Sequence, residues 1–145
     1  MMELEGRVWK DSESSWWFAE ASFLEVMTQG KTRKEALEMI KDAVMELLKD
    51  SYEDHLDKHF QLSVTLYENG VIGIGASDEK LLFALGLKRQ RLRSGSTIRD
   101  VSRRLKSKSP NAYARYERAQ ARPSIEKYAQ LLQAANPTRR PLLVS

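Results

Sequence analysis

The spacing of apolar side chains changes period along the chain. Residues 6–11 read as a short strand and residues 16–23 as the returning strand of a hairpin, with the polar run Ser12-Glu13-Ser14-Ser15 as the turn between them. The second run puts Trp17, Ala19, Ala21 and Phe23 on one face and Trp16, Phe18, Glu20 and Ser22 on the other. Residues 23–30 offer a third extended segment. From Thr32 the period becomes helical. Thr32-Arg33-Lys34-Glu35 reads as a capping box, and Ala36, Ile40, Ala43, Val44, Leu47 and Leu48 recur on one side, widened by Leu37. The polar stretch 50–58 is expected to end that helix. Alternation returns over 60–66 and 71–75, joined by Asn69-Gly70, a pair suited to a tight hairpin because both turn positions take positive φ. The order strands, helix, strands predicts an α+β unit over residues 1–76, a small antiparallel sheet with one packed helix.

Beyond the joint Ala76-Ser77-Asp78 only helical spacing remains, so 77–145 is expected to be a second, all-α domain. A first helix carries Leu81, Leu82, Leu85 and Leu92 as far as Arg93. Thr97 and Asp100 form a second capping box, ahead of Ile98, Val101 and Leu105. After the turn Lys106-Ser107-Lys108, Ser109 caps a helix with Pro110 at its first position, where the missing N–H costs nothing. Tyr113 and Tyr116 are expected inward, and Asn111, Ala112, Ala114 and Arg115 outward. Arg122-Pro123-Ser124 breaks the chain before a last helix with Ile125, Tyr128, Leu131 and Leu132 on one side. The apolar tail Pro141-Leu142-Leu143-Val144 reads either as a segment that docks on a neighbour or as a loose end.

Charge sharpens this division. Residues 1–84 hold 9 Lys/Arg and 17 Asp/Glu, whereas residues 85–145 hold 15 and 3, so a net charge of +4 conceals halves of −8 and +12. An acidic module joined to a basic one suggests that the second meets nucleic acid. The chain has no cysteine, which excludes disulfides, thiol catalysis and thiolate-bound zinc. No apolar run reaches the roughly 20 residues of a membrane span. The start Met1-Met2-Glu3-Leu4-Glu5 lacks the layout of a signal peptide, and a cytoplasmic protein is expected.

The stretch TIRDVSRRL through SPNAYARYERAQARPSIEKYAQLLQA resembles a lambda-repressor/Cro-type helix-turn-helix domain. Arg115-Tyr116-Glu117-Arg118, then Arg122-Pro123-Ser124 and an aliphatic helix, match that family's ending after the recognition helix. Two departures stand out. The turn is one residue longer than usual and has no Gly, and Ile98 replaces a common Gln. The resemblance implies operator DNA as a partner and a dimer on paired half-sites. Arg99, Arg103, Arg104, Lys106, Lys108 and Arg122 are then candidates for neutralising phosphates. Ser109, Asn111, Ala112 and Arg115 are candidates for base edges: Asn suits adenine, Arg guanine and Ala the thymine methyl. Glu117 and Arg118 read as a surface pair.

In the first half, Trp17-Phe18-Ala19-Glu20, Thr28-Gln29-Gly30-Lys31-Thr32 and Glu35-Ala36 resemble the HicB-like antitoxin domain, although Leu24-Glu25-Val26-Met27 replaces its frequent Leu-Pro-Gly-Cys. That resemblance implies a partial RNase H fold without its activity, a small basic HicA-like toxin as partner, repression of its own operon, and a dimer or higher homo-oligomer. Trp16 and Phe18, with Glu20, are candidates for partner contact; packing of that face within the unit is the equal alternative.

Catalytic signals are sparse. His55 and His59, four apart, would share a helix face, but no third ligand accompanies them and the intervening Glu of His-Glu-x-x-His is missing. Gly73-x-Gly75 is a strand return and not a phosphate loop. No enzyme activity, metal or cofactor is expected. Two functions remain open: an antitoxin and autorepressor, or a helix-turn-helix regulator whose first domain serves dimerisation or ligand sensing.

Overall fold

The computed structural model describes residues 2–139. Pro141-Leu142-Leu143-Val144 lies outside the described residues. The chain divides into two compact units after Ser77.

The first unit is a five-stranded sheet: β1 (Leu4–Lys10), β2 (Trp17–Ala21), β3 (Val26–Gly30), β4 (Leu62–Leu66) and β5 (Val71–Ala76), in the order β3-β2-β1-β5-β4. All four pairings are antiparallel. The pleat sends Leu4, Val8, Ala19, Ala21, Val26, Leu62, Ile72 and Ile74 to one face, where they are buried. That face lies under α1 (Arg33–Tyr52), whose Ala36, Ile40, Val44, Leu48 and Tyr52 fall every four residues and are buried. Each large aliphatic side chain so covered contributes about 1.5–3 kcal/mol. Thr32 Oγ1 accepts from Glu35 N–H at 3.0 Å to start the helix. Helix and sheet meet closely where a Cβ on Gly30 would come within 2.6 Å of Ala36 N.

Three local expectations need correction. Strand β2 stops at Ala21, and a 3-10 turn over Ser22–Leu24 with left-handed Glu25 (φ 57°) turns Phe23 and Leu24 into the core. The second hairpin is wider than two residues: Tyr67 N–H donates to Val71 O at 2.8 Å around Glu68–Gly70, with Asn69 and Gly70 both at positive φ. A side chain on Gly70 would collide with Val8 O. The polar run after 50 does not stop α1 at once, because buried Tyr52 draws the helix on to its own position.

The second unit holds α2 (Glu79–Ser94), α3 (Ile98–Arg104), α4 (Pro110–Glu117) and α5 (Ile125–Ala135). Every one begins on a side-chain cap, from Asp78, Thr97, Ser109 and Ser124 respectively, and α3 has both halves of its capping box. The Tyr128 ring of α5 packs at a tilt against Phe83 of α2, ring centres 4.7 Å apart, and its hydroxyl donates to Phe83 O at 2.9 Å. Asn136 Nδ2 donates to Gln90 Oε1 at 3.0 Å in a buried contact, and Ser94 Oγ donates to Ala135 O at 2.7 Å. The apolar positions shift from those expected: Leu92 and Ile125 are 52% and 46% exposed, whereas Phe83, Ala84, Gly86 and Leu87 join Leu81, Leu82 and Leu85 in the buried part of α2.

Candidate nucleic-acid and partner interfaces

The turn between α3 and α4 is built by the backbone. Ser107 N–H donates to Ser102 O and Lys106 N–H to Arg103 O, both at 3.0 Å, a Schellman ending for α3. Such an ending needs one left-handed residue, and Lys106 takes it at φ 57° where Gly is usual. Ser107 Oγ then donates to Ser109 O at 2.8 Å, and Ser109 Oγ accepts from Asn111 N–H at 3.2 Å. This chain of contacts fixes the first turn of α4, the part of a second helix that meets base edges.

Around that turn the structure exposes Arg99, Arg103, Lys106, Lys108, Ser109, Asn111, Ala112 and Arg115. Asn111, Ala112 and Arg115 share the outer side of α4, as the spacing predicts, whereas Ala114 is buried with Tyr113. Ala114 sits one residue beyond Tyr113 on a short helix gripped from two sides, and so falls under its neighbours. Arg103 lies 3.7 Å from Asp100, an exposed pair that leaves its side chain 73% accessible. Two expected phosphate ligands have other partners. Arg104 donates to Ser96 Oγ and Ala134 O, each at 2.8 Å, and Arg122 meets Glu79 at 2.5 Å with 61% of its side chain exposed. A cleft of about 390 Å³ opens beside α4, bringing Ser107 and Lys127 near Arg115. Neither was singled out from the sequence, because no spacing rule links them.

Glu117 is not a surface residue. Its carboxylate is buried against Arg91 of α2, and the pairing with Arg118 is displaced because α4 turns this side inward. Burial, then the nearby Glu117 charge, pushes the Tyr113 hydroxyl far above the usual tyrosine range, so it stays protonated. Arg91 also donates to Ser96 O, which ties the start of α3 to the same cation. No sequence signal joins Arg91 to Glu117. Glu117 is one of three acids among 15 Lys/Arg over residues 85–145, and that was the available hint.

In the first unit, the face of the sheet away from α1 carries Trp9, Phe18, Met27, Arg7 and Glu20. Trp9 stacks on Phe18 with ring centres 5.8 Å apart, across the β1–β2 pairing, and Arg7 faces Glu20 on the same ladder. Trp9 and Met27 are 39% and 56% exposed. Phe18 and Glu20 therefore lie together on that face, and Trp9, unremarked in the sequence, completes the aromatic patch. Trp16 precedes β2 and is 37% exposed, its carbonyl accepting from Asp11 N–H at 2.9 Å. His55 closes a 3-10 turn and His59 follows outside any helix, so the shared helix face they need does not form. Among the described residues no group of three or more His, Asp or Glu is placed to hold a metal ion, and no helix is long and apolar enough to cross a membrane.

A helix-turn-helix family model matches residues 87–138. No curated protein matches the chain. The matched residues run from within α2 to just past α5, and so contain the α3–turn–α4 pair described above. Residues 87–138 form a lambda-repressor/Cro-type helix-turn-helix domain, the DNA-binding module of transcription regulators.

Proposed function

We propose that the chain is an antitoxin and autorepressor: it holds operator DNA with α3 and α4, and neutralises a small basic HicA-like toxin with its acidic first unit. The observation that carries the DNA half is the exposed row Asn111, Ala112 and Arg115 on α4, flanked by Arg99, Arg103, Lys106 and Lys108. Phosphate contacts from the flanking cations set register, and the row reads bases. The toxin half is supported by the acidic charge of residues 1–84, by the Trp9–Phe18 patch, and by the resemblance of Trp17-Phe18-Ala19-Glu20 and the Thr28–Thr32 approach to HicB-like antitoxins. Since one half-site binds weakly, the operator complex contains a dimer. The protein acts in the cytoplasm by binding and not by catalysis, so it leaves RNA intact in magnesium.

The test is isolation of the chain from its own cells, with mass spectrometry and sequencing of what accompanies it. A small basic ribonuclease, silent until this chain is removed, together with DNA from its own promoter, is the expected result. DNA with no small partner would leave a regulator whose first unit dimerises or senses a ligand.

A further inference from the structure

Strand β4 ends the sheet, and among the described residues no strand pairs with its outer edge. A groove of about 500 Å³ lies between that strand and the N-terminal half of α1. Its apolar wall is Leu37 from the helix with Val64 and Leu66 from the strand. Leu66 is 38% exposed although its pleat partner Ile72 is fully buried, so the apolar face continues beyond what α1 covers. Lys34 and Lys41 line the helix side with Glu38 between them, and Arg33 completes the rim while lying 6.0 Å over the Trp17 ring. These cations are conspicuous by location. Residues 1–77 hold 8 Lys/Arg against 15 Asp/Glu, yet three of the eight sit on this groove.

We propose that the groove is a docking site for an extended acidic peptide segment, which adds a sixth strand along β4. An open edge supplies main-chain hydrogen bonds, and a flanking groove selects alternate side chains. Here apolar side chains of the added strand meet Leu37, Val64 and Leu66, and its carboxylates meet Lys34, Lys41 and Arg33. A second copy of this chain is the poorer occupant. Antiparallel pairing of two β4 edges would put both α1 helices on one face with their cationic rims toward each other, and like charges there oppose association. The basic partner of the preceding section is also the wrong sign for this groove, so this inference stands apart from it.

The full chain is titrated with a labelled peptide alternating Val and Glu, a counterpart alternating Val and Lys, and a Val–Glu peptide N-methylated at alternate amides. The first binds saturably and shifts the amide resonances of residues 62–66. The other two bind at least about tenfold more weakly, as does the first peptide with the exposed double variant Lys34→Glu/Lys41→Glu, checked for folding by circular dichroism. Equal binding of the Val–Glu and Val–Lys peptides, no saturation by about 1 mM, or insensitivity to N-methylation overturns the proposal. So does a concentration-dependent dimer that shifts residues 62–66 without peptide, which would assign the edge to a second copy.

Discussion

Arg91 and Glu117, 26 residues apart in sequence, close on each other through Nε at 3.0 and 2.9 Å from the two carboxylate oxygens and Nη2 at 2.6 Å from Oε1. Only 14% and 7% of the two side chains is exposed. The pair clamps α4 to α2, and the third nitrogen, Nη1, holds Ser96 O at 3.0 Å just ahead of α3. The helix that carries Asn111 and Arg115 is therefore aimed by an ion pair on its opposite side.

Removing one member of that pair leaves the other charge buried alone. Glu117→Leu and Arg91→Met should each destabilise the helical unit by about 3–5 kcal/mol, and the double substitution Arg91→Met/Glu117→Leu should recover most of the loss. Urea unfolding of the three variants checks this. Additive losses in the double variant would mean that the two side chains do not act together.

Lys106 carries a left-handed backbone, which costs an L-residue about 1–2 kcal/mol, while Gly at an exposed site returns part of that gain as chain entropy. Lys106→Gly should raise stability by about 0.5–1 kcal/mol. At Ala119, also left-handed at φ 61°, the methyl is buried, so Ala119→Gly should change stability less. Thermal midpoints compare the two.

Arg115→Ala should weaken operator binding by about 1–3 kcal/mol and relax specificity, whereas Lys108→Ala should weaken all sequences alike and lower the salt slope by about one. Anisotropy titrations on operator and random duplexes across salt concentrations separate the two roles. Equal loss on both duplexes for Arg115→Ala would remove it from base reading.

Gly86 is required by a close approach between helices, since a Cβ there would overlap the Tyr128 hydroxyl. Ala favours a helix by about 1 kcal/mol over Gly, yet Gly86→Ala should destabilise, because overpacking costs about 1–3 kcal/mol and the Tyr128–Phe83 bond is disturbed. In a Tyr128→Phe background the same change should become neutral or stabilising. Denaturant unfolding of this double-mutant cycle gives the coupling.

The Thr97 backbone N–H, first, and its hydroxyl hold the Asp100 carboxyl below its ordinary value. A carboxyl depressed on folding stabilises the native state above its unfolded pKa of about 3.9, and that contribution is lost as pH falls through the lower folded value. Asp100→Asn should therefore flatten the acid limb of the stability profile below about pH 4. An unchanged limb would show that other carboxylates govern acid unfolding.

Local rules were enough to read much of this protein from its sequence. Alternation over residues 60–66, the four-residue spacing from Ala36 to Leu48, and the caps at Thr32, Thr97, Ser109 and Ser124 each depend on neighbours in sequence, so the α+β first unit, the helical second unit and the outward row Asn111, Ala112, Arg115 were all legible. Tertiary packing alone decided the rest. Glu117 went inward because Arg91 waits there, Arg104 and Arg122 were drawn to Ala134 and Glu79, and Trp9 met Phe18 only once β1 and β2 paired in register. Lys106 accepted a left-handed turn because two backbone hydrogen bonds outweigh its strain. Such contacts join residues with no fixed separation in sequence, and the free energy that selects them exists only after the helices and strands have met.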